Sequence, residues 1–141
     1  MKNFNTSTNN RRTCSFCNQT KQVKDFASAG KIKGIQYYRS RCKECYYIKK
    51  QDELNKVREE FRTFKQTLEC SECHYSKKTN KRFVMEHLQF HHPKKNKLYN
   101  IGDLARRGVR LTSKKMQDEL NKCIVLCGRC HDYEHYNHRN I

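Results

Sequence analysis

The chain has 141 residues, of which 35% are hydrophobic and 32% are charged, and its formal net charge is +17. This composition excludes a large apolar core, because too few apolar side chains are available to fill one. Small modules of this kind are usually held together by metal ions or disulfides, and nine cysteines fit that expectation. No stretch approaches the roughly 20 apolar residues of a membrane span, so we expect no membrane association.

The N-terminal stretch MKNFNTSTNNRR has no apolar segment of the kind that secretory signals contain. We therefore expect an intracellular protein, in the cytoplasm or the nucleus, rather than a secreted one. Inside the cell, cysteine pairs favour metal binding, and disulfides are the alternative interpretation.

Positive charge is concentrated in two blocks of the sequence. Residues 1–50 carry 12 Lys and Arg against 2 acidic residues, residues 51–69 carry 4 against 5, and residues 70–141 carry 15 against 7. The net charges of the three ranges are therefore +10, −1 and +8. A chain this basic usually has a polyanionic partner, and nucleic acid is the leading candidate; the alternative is a basic surface without such a partner.

Residues 1–12 are polar and then basic, which predicts a flexible arm whose Arg11 and Arg12 contact phosphate. Residues 13–46 contain two CxxC pairs, and the stretch IQYYRS between them predicts a short strand. Four thiolates at about 2.3 Å complete a tetrahedral zinc site, so this range is interpreted as a zinc-ribbon-like, DNA-binding module. Its predicted ligands are Cys14, Cys17, Cys42 and Cys45.

A long helix is predicted next, because residues 43–68 contain no Gly and no Pro; residues 47–69 would link the two basic modules. Apolar residues recur there at steps of three and four, which places them in one stripe on a helix. They are Leu54, Val57, Phe61, Phe64 and Leu68. The stripe permits a homodimer seam or a spacer, and packing on the chain's own C-terminal module is the alternative that we favour.

Residues 70–141 form the second module. Strands are predicted over residues 82–92 and 122–127, and a final helix is predicted after Cys127. Two short helices are predicted between the strands, over residues 100–108 and 113–122. The first would end at Gly108 and the second would be capped by Ser113.

The stretch CGRCHDYEH, residues 127–135, predicts two metal sites rather than one. On a helix, His131 and His135 lie about 40° apart, whereas Cys130 lies about 100° from His131 and points to another side. The simplest partition gives one closed zinc site to the four thiolates of Cys70, Cys73, Cys127 and Cys130.

His131 and His135 then require a ligand from elsewhere, and the nearest source is FHH, residues 90–92. Histidines in so basic a chain are more often surface groups or phosphate contacts. Two of them at i and i+4, next to a zinc knuckle, nevertheless favour a second, catalytic metal.

Residues 70–136 resemble the HNH (ββα-metal) endonucleases through CSEC, LQFHH, KNKLYNIGDLARRG and KCIVLCGRCHDYEH. The N-terminal CSFC…KDF…YYRSRCKEC resembles zinc-ribbon modules that precede such domains in phage, viral, homing and restriction enzymes. The resemblance implies a small zinc-stabilised α+β fold. It would comprise a four-Cys ribbon, a linker helix (47–69) and a ββα-metal nuclease domain (70–141) with a second four-Cys site.

The resemblance also implies roles for individual residues. His91, His131 and His135 would bind one catalytic divalent ion, which could be Mg²⁺, Mn²⁺ or Zn²⁺, and His92 would be the general base. The family's central Asn corresponds to a position near Lys122, so its role falls to the neighbouring Asn121 or is missing.

The sequence therefore predicts a metal-dependent endonuclease that hydrolyses phosphodiester bonds in double-stranded DNA, with two structural Zn²⁺ and one catalytic ion. The alternatives are a non-catalytic double-zinc nucleic-acid-binding protein, such as a transcription or packaging factor, and an RNA-directed nuclease or RNA binder. Further backbone contacts are predicted from Lys94, Lys95, Arg106, Arg107 and Arg129.

Overall fold

The computed structural model describes residues 10–137, and the chain divides into two compact units, Met1–Asp52 and Glu53–Ile141. Short antiparallel strand pairs, one long helix and several short helices make up the two units, so the protein is a small α+β protein. In chain order the elements are β1 (Arg11–Thr13), β2 (Thr20–Gln22), a 3-10 turn (Val23–Asp25), β3 (Phe26–Ile32), β4 (Ile35–Cys42), α1 (Lys43–Gln66), a 3-10 turn (Met85–His87), β5 (Leu88–His91), α2 (Ile101–Arg106), α3 (Lys114–Leu120), β6 (Ile124–Cys127) and α4 (Gly128–Asn137).

The first unit consists of two antiparallel hairpins, β1–β2 and β3–β4, followed by the start of α1. Its small core contains the fully buried Phe26, packed among cysteines and the half-buried Tyr38. Arg11 and Arg12 lie in strand β1, paired with β2, and not in a flexible arm; the remainder of the predicted arm, residues 1–9, lies outside the described residues.

The apolar stripe of α1 packs within the second unit, against the C-terminal part of the chain, as we favoured from the sequence. Phe61 packs against the cluster formed by α2 and α3, and Val57 is buried. Leu68 lies two residues beyond the end of α1, so the helix is shorter than predicted, but Leu68 packs against the cluster around β5 and β6. The Phe61 ring also lies 6.1 Å from that of Phe90. These residues of the stripe therefore make contacts within the chain. None of the described helices is long and apolar enough to cross a bilayer.

The second unit is centred on the antiparallel pair β5–β6, whose register places Leu88 opposite Cys127 and His91 opposite Ile124. The strand predicted over residues 82–92 is shorter, because Met85–His87 forms a 3-10 turn. Strand β6 has four residues, and each of them pairs with one residue of β5. Strand β5 is therefore also limited to four residues.

Both short helices between these strands begin at a side-chain cap, and the predicted cap at Ser113 is confirmed. Asn100 Oδ1 accepts a hydrogen bond from Asp103 N at the start of α2, and Ser113 Oγ accepts one from Met116 N at the start of α3. Gly108 adopts φ +85° just after α2, a conformation that favours glycine. Glu119 of α3 lies 2.8 Å from His92, the residue that follows β5, so α3 lies beside the end of that strand.

Candidate metal centres

The first cysteine cluster joins a knuckle to a strand–helix junction. The knuckle is closed by two backbone hydrogen bonds, from Cys14 N to Gln19 O (2.9 Å) and from Asn18 N to Cys14 O (3.1 Å). Cys42 ends β4, and its backbone N–H donates to Cys14 Sγ at 3.3 Å. The Sγ atoms of the four cysteines lie within 4.8 Å of one another; they are Cys14, Cys17, Cys42 and Cys45.

The second cluster is built in the same way from Cys70, Cys73, Cys127 and Cys130. Cys70 N donates to Tyr75 O (3.0 Å) and His74 N donates to Cys70 O (3.0 Å). The Sγ atoms of Cys73 and Cys127 are 3.6 Å apart. Two thiolates of a tetrahedral zinc site, each about 2.3 Å from the ion, stand about 3.8 Å apart. Both clusters could therefore hold a structural zinc ion.

The hydrogen bonding within the clusters favours thiolates at some positions and opposes them at others. Burial raises the pKa of Cys14 and of Cys70, but hydrogen bonds from backbone N–H groups outweigh it and lower both to about 6. The hydrogen bond with Cys42, together with burial, raises the pKa of Cys45 to about 12. Only a bound cation would stabilise all four thiolates of a cluster together, which is the donor chemistry of a structural zinc site.

A third cluster consists of three histidines from two elements. His91 ends β5 and is buried, whereas His131 and His135 lie one turn apart on α4, and His135 is exposed. One ring nitrogen from each of the three lies within 4.8 Å of the other two, and the Nε2 atoms of His131 and His135 are 3.2 Å apart. That separation suits two imidazole ligands of one ion at about 2.1 Å each.

Electrostatics within this cluster also favour a neutral, ligating imidazole. Burial and the neighbouring His135 lower the pKa of His131, and Asp132 opposes them. Only the neutral imidazole can donate a lone pair to a metal ion. The structure therefore brings together the three histidines for which the sequence predicted a shared ion.

His92 points to a different partner. Its side chain is 8% exposed, and its Nε2 lies 2.8 Å from Oε1 of Glu119, whose side chain is 1% exposed. The same Oε1 accepts hydrogen bonds from the backbone N–H groups of Leu98 (3.0 Å) and Tyr99 (3.1 Å). Oε2 accepts one from Lys122 Nζ at 3.0 Å. A single buried carboxylate thus connects His92 to the segment before α2 and to the turn that follows α3.

Glu119 is held in its ionised form. Burial raises the pKa of Glu119, but the hydrogen bonds from Lys122, Tyr99, Leu98 and His92 outweigh it and lower the pKa to about 2. A carboxylate can only accept, so the proton of the shared hydrogen bond belongs to His92 Nε2; in a neutral imidazole, Nδ1 is then the acceptor.

Sequence reasoning missed Glu119 and considered Asn121 instead. Asn121 is exposed at the C-terminal cap of α3, and the hydrogen bond of His92 goes to Glu119. A signal for Glu119 was present: it lies on the apolar face of α3, three residues after the fully buried Met116. An acidic residue at a core-facing position needs partners, which marks it as structurally or functionally important.

The predicted phosphate-contacting residues have different surroundings. Arg12 is engaged within the first unit, because its guanidinium lies 4.7 Å from the centre of the Phe26 ring and donates to Tyr38 O at 3.5 Å. Arg106 is exposed and paired with Asp103 at 2.7 Å. The others are exposed at the surface; they are Arg11, Lys94, Lys95, Arg107 and Arg129.

No protein-family model matches the chain, and no curated protein or solved structure matches it either.

Proposed function

We propose that this protein is a metal-dependent DNA endonuclease that hydrolyses phosphodiester bonds, with a first unit of zinc-ribbon type and an HNH-like ββα arrangement in its second unit. The observation that carries the proposal is the convergence of His91, His131 and His135 between the end of β5 and one face of α4. The net charge of +17 supports a polyanionic substrate.

The composition of the three clusters supports a division between structural and catalytic metals. Structural zinc sites are closed by four protein ligands, as the two four-Cys clusters would be, whereas catalytic sites keep a position open. The histidine cluster supplies three ligands, and the exposure of His135 leaves it accessible to a substrate. A divalent ion held there would lower the pKa of a bound water and stabilise the charge that develops on the phosphate.

His92 is the general base in this proposal, and Glu119 determines which of its nitrogens acts. Because Nε2–H is donated to Glu119, the proton of the attacking water goes to Nδ1. The Glu119 carboxylate then stabilises the imidazolium that forms. The exposed Lys94, Lys95 and Arg129 bind the phosphates on either side of the scissile bond.

Nicking of a supercoiled plasmid in the presence of Mg²⁺ or Mn²⁺ tests the proposal. We expect His92→Ala to lower the rate by about 100-fold or more, the usual contribution of a general base. His131→Ala should lower the rate at least as much, because it removes a ligand of the catalytic ion. His87→Ala is the matched control, because His87 is an exposed histidine of the same unit. Its rate should stay within about twofold of the wild-type rate, since surface substitutions rarely perturb a site.

Metal analysis separates catalysis from folding in the same experiment. Each variant should retain two zinc ions per chain, because neither His131 nor His92 belongs to a four-Cys cluster. A His131→Ala protein with its zinc retained and wild-type nicking would contradict the proposal. Duplex binding by the wild-type protein without cleavage under Mg²⁺, Mn²⁺ or Zn²⁺ would instead establish the non-catalytic, double-zinc nucleic-acid-binding protein.

A further inference from the structure

The two units repeat one scaffold around their cysteine clusters. In each knuckle, the N–H of the first cysteine bonds to the carbonyl five residues later, and its carbonyl accepts from the residue four positions later. The residue after each CxxC, Asn18 or His74, adopts nearly the same left-handed conformation, with φ of 56° and 55°. The backbone therefore forms the same turn at both sites.

The strand–helix junctions repeat as well. Cys42 is the last residue of β4 and α1 begins at the next position; Cys127 is the last residue of β6 and α4 begins at the next position. Opposite these cysteines on the neighbouring strands stand the fully buried Phe26 and Leu88. Positions on α1 and α4 can therefore be compared directly by counting from these cysteines.

That comparison identifies what replaces the histidines in the first unit. His131 and His135 lie four and eight residues after Cys127, and the positions four and eight residues after Cys42 are Tyr46 and Lys50. The first unit thus has a phenol and an ammonium group where the second unit has two imidazoles.

A bulge in β4 brings a second cation, the guanidinium of Arg39, close to Tyr46. Residues 39–41 stand between the pairs Phe26–Cys42 and Ser28–Tyr38, so three residues of β4 oppose only Ala27 on β3. Bulges redirect side chains, and here the Arg39 guanidinium lies 4.9 Å from the centre of the Tyr46 ring while Arg39 Nε donates to Ser28 O at 3.3 Å. The guanidinium is thereby held over the start of α1.

We propose that Arg39 of β4 together with Tyr46 and Lys50 of α1, which we call the cationic face, bind the phosphate backbone of duplex DNA. This face occupies the position in the first unit that corresponds to the histidine cluster of the second unit. Two permanent cations and a phenol can donate hydrogen bonds to phosphate oxygens without a metal ion. Glu44 is the one acidic residue in residues 39–50. It lies about 160° around the helix from Tyr46 and pairs with Lys21 at 3.1 Å.

This inference rests on DNA being the partner of the proposed nuclease, but its test does not depend on cleavage. Binding of the full-length protein to a fluorescent duplex of about 30 base pairs is measured over a range of salt concentrations, without added divalent ion. The slope of log K against log salt falls by about 0.9 for each phosphate that the protein no longer neutralises. We therefore expect Arg39→Ala/Lys50→Ala to reduce the slope by about 2, and Lys50→Ala alone, at an exposed position, by about 1.

The matched control is Lys24→Ala/Lys31→Ala, which removes two exposed cations from the same unit. The slope of this control variant should change by less than half as much as the slope of Arg39→Ala/Lys50→Ala. Equal reductions of the slope in the two double variants would mean that only the net charge matters, and this result would overturn the inference. An unchanged slope for Lys50→Ala would also overturn it. If the slope is reduced for single-stranded DNA or RNA but not for duplex DNA, the assignment of duplex DNA as the partner is overturned.

The outcomes also separate this inference from the proposed function. If the wild-type protein binds but never cleaves, and the cationic-face variants bind weakly, the inference holds and the nuclease proposal fails. If those variants bind with the wild-type slope while the wild-type protein cleaves, the inference fails and the nuclease proposal holds.

Discussion

Replacing Glu119 by Gln tests whether the buried carboxylate acts through His92. The amide oxygen can still accept from His92, Leu98 and Tyr99, but it carries no charge, and the amide N–H₂ group faces the Lys122 ammonium. A hydrogen bond to a charged group contributes about 1.5–3 kcal/mol, against about 1 kcal/mol for a neutral pair. Three weakened bonds and one broken bond, partly offset by removal of a buried charge, give a net destabilisation of about 2 kcal/mol.

If the protein is the proposed nuclease, the effect of Glu119→Gln on the cleavage rate should exceed what this loss of stability explains. The neutral amide of the Glu119→Gln variant cannot stabilise a positively charged His92 as the carboxylate does. We therefore expect the single-turnover rate at saturating DNA to fall about 10- to 100-fold, within the range of general-base contributions. DNA affinity should stay the same, because the side chain is 1% exposed and cannot reach a substrate phosphate. Rates are measured well below the melting temperature, where both proteins are folded.

A double-mutant cycle provides the decisive comparison. In the His92→Ala background, Glu119→Gln should have no further effect on the rate, since the group through which it acts is gone. If Glu119→Gln slows the His92→Ala protein by the same factor as it slows the wild type, Glu119 does not act through His92 and the reasoning is refuted. Lys122→Ala is the matched control for the carboxylate's other partner, and its rate should fall by less than about tenfold.

Three further outcomes are expected. The pKa of the Glu119 carboxyl is about 2 in the folded protein, against an ordinary value of 4.5. The stabilisation by the ionised carboxylate is therefore present above pH 4.5 and is lost as the pH falls towards 2. The difference in unfolding free energy between the wild type and Glu119→Gln should shrink over that interval. Gly108→Ala should destabilise more than Gly34→Ala in thermal melts: both have positive φ, but only at Gly108 would the new Cβ meet a side chain, Leu54 Cδ1 at 2.9 Å. Phe61→Ala should cost about 2–3 kcal/mol in denaturant unfolding, without changing the oligomeric state seen by light scattering; dissociation of a wild-type dimer would contradict the packing of the stripe within the chain.

Features that depend on local spacing could be predicted from the sequence. The CxxC pairs, the cap at Ser113, the glycine at position 108 and the helical stripe each follow from residues close together in the chain. The i, i+4 spacing of His131 and His135 already fixed their common face. These predictions needed no knowledge of tertiary contacts.

Features that depend on pairing between distant segments could not be predicted in the same way. The length of β5 is limited by the four residues of β6, which lie more than 30 positions later. The role of Glu119 depends on α3 reaching His92 across 27 residues of sequence. Arg12 was predicted to contact phosphate. Its stacking on Phe26 was not visible in the sequence, because it forms only when β1 and β3 are both folded.

The two knuckles have a consequence for the order in which the protein matures during synthesis. The hydrogen bond from Cys42 to Cys14 closes a loop of 28 residues, and the approach of Cys127 to Cys73 closes one of 54. Loop closure costs only about 0.6 kcal/mol more for each doubling in length, so the two sites differ little in chain entropy. They differ in timing, because Cys45 leaves the ribosome long before Cys127. The four cysteines of the first unit could therefore bind zinc while His131 and His135 are still untranslated. Under the proposed function, the nascent polypeptide would then be able to bind DNA before it is able to cleave it.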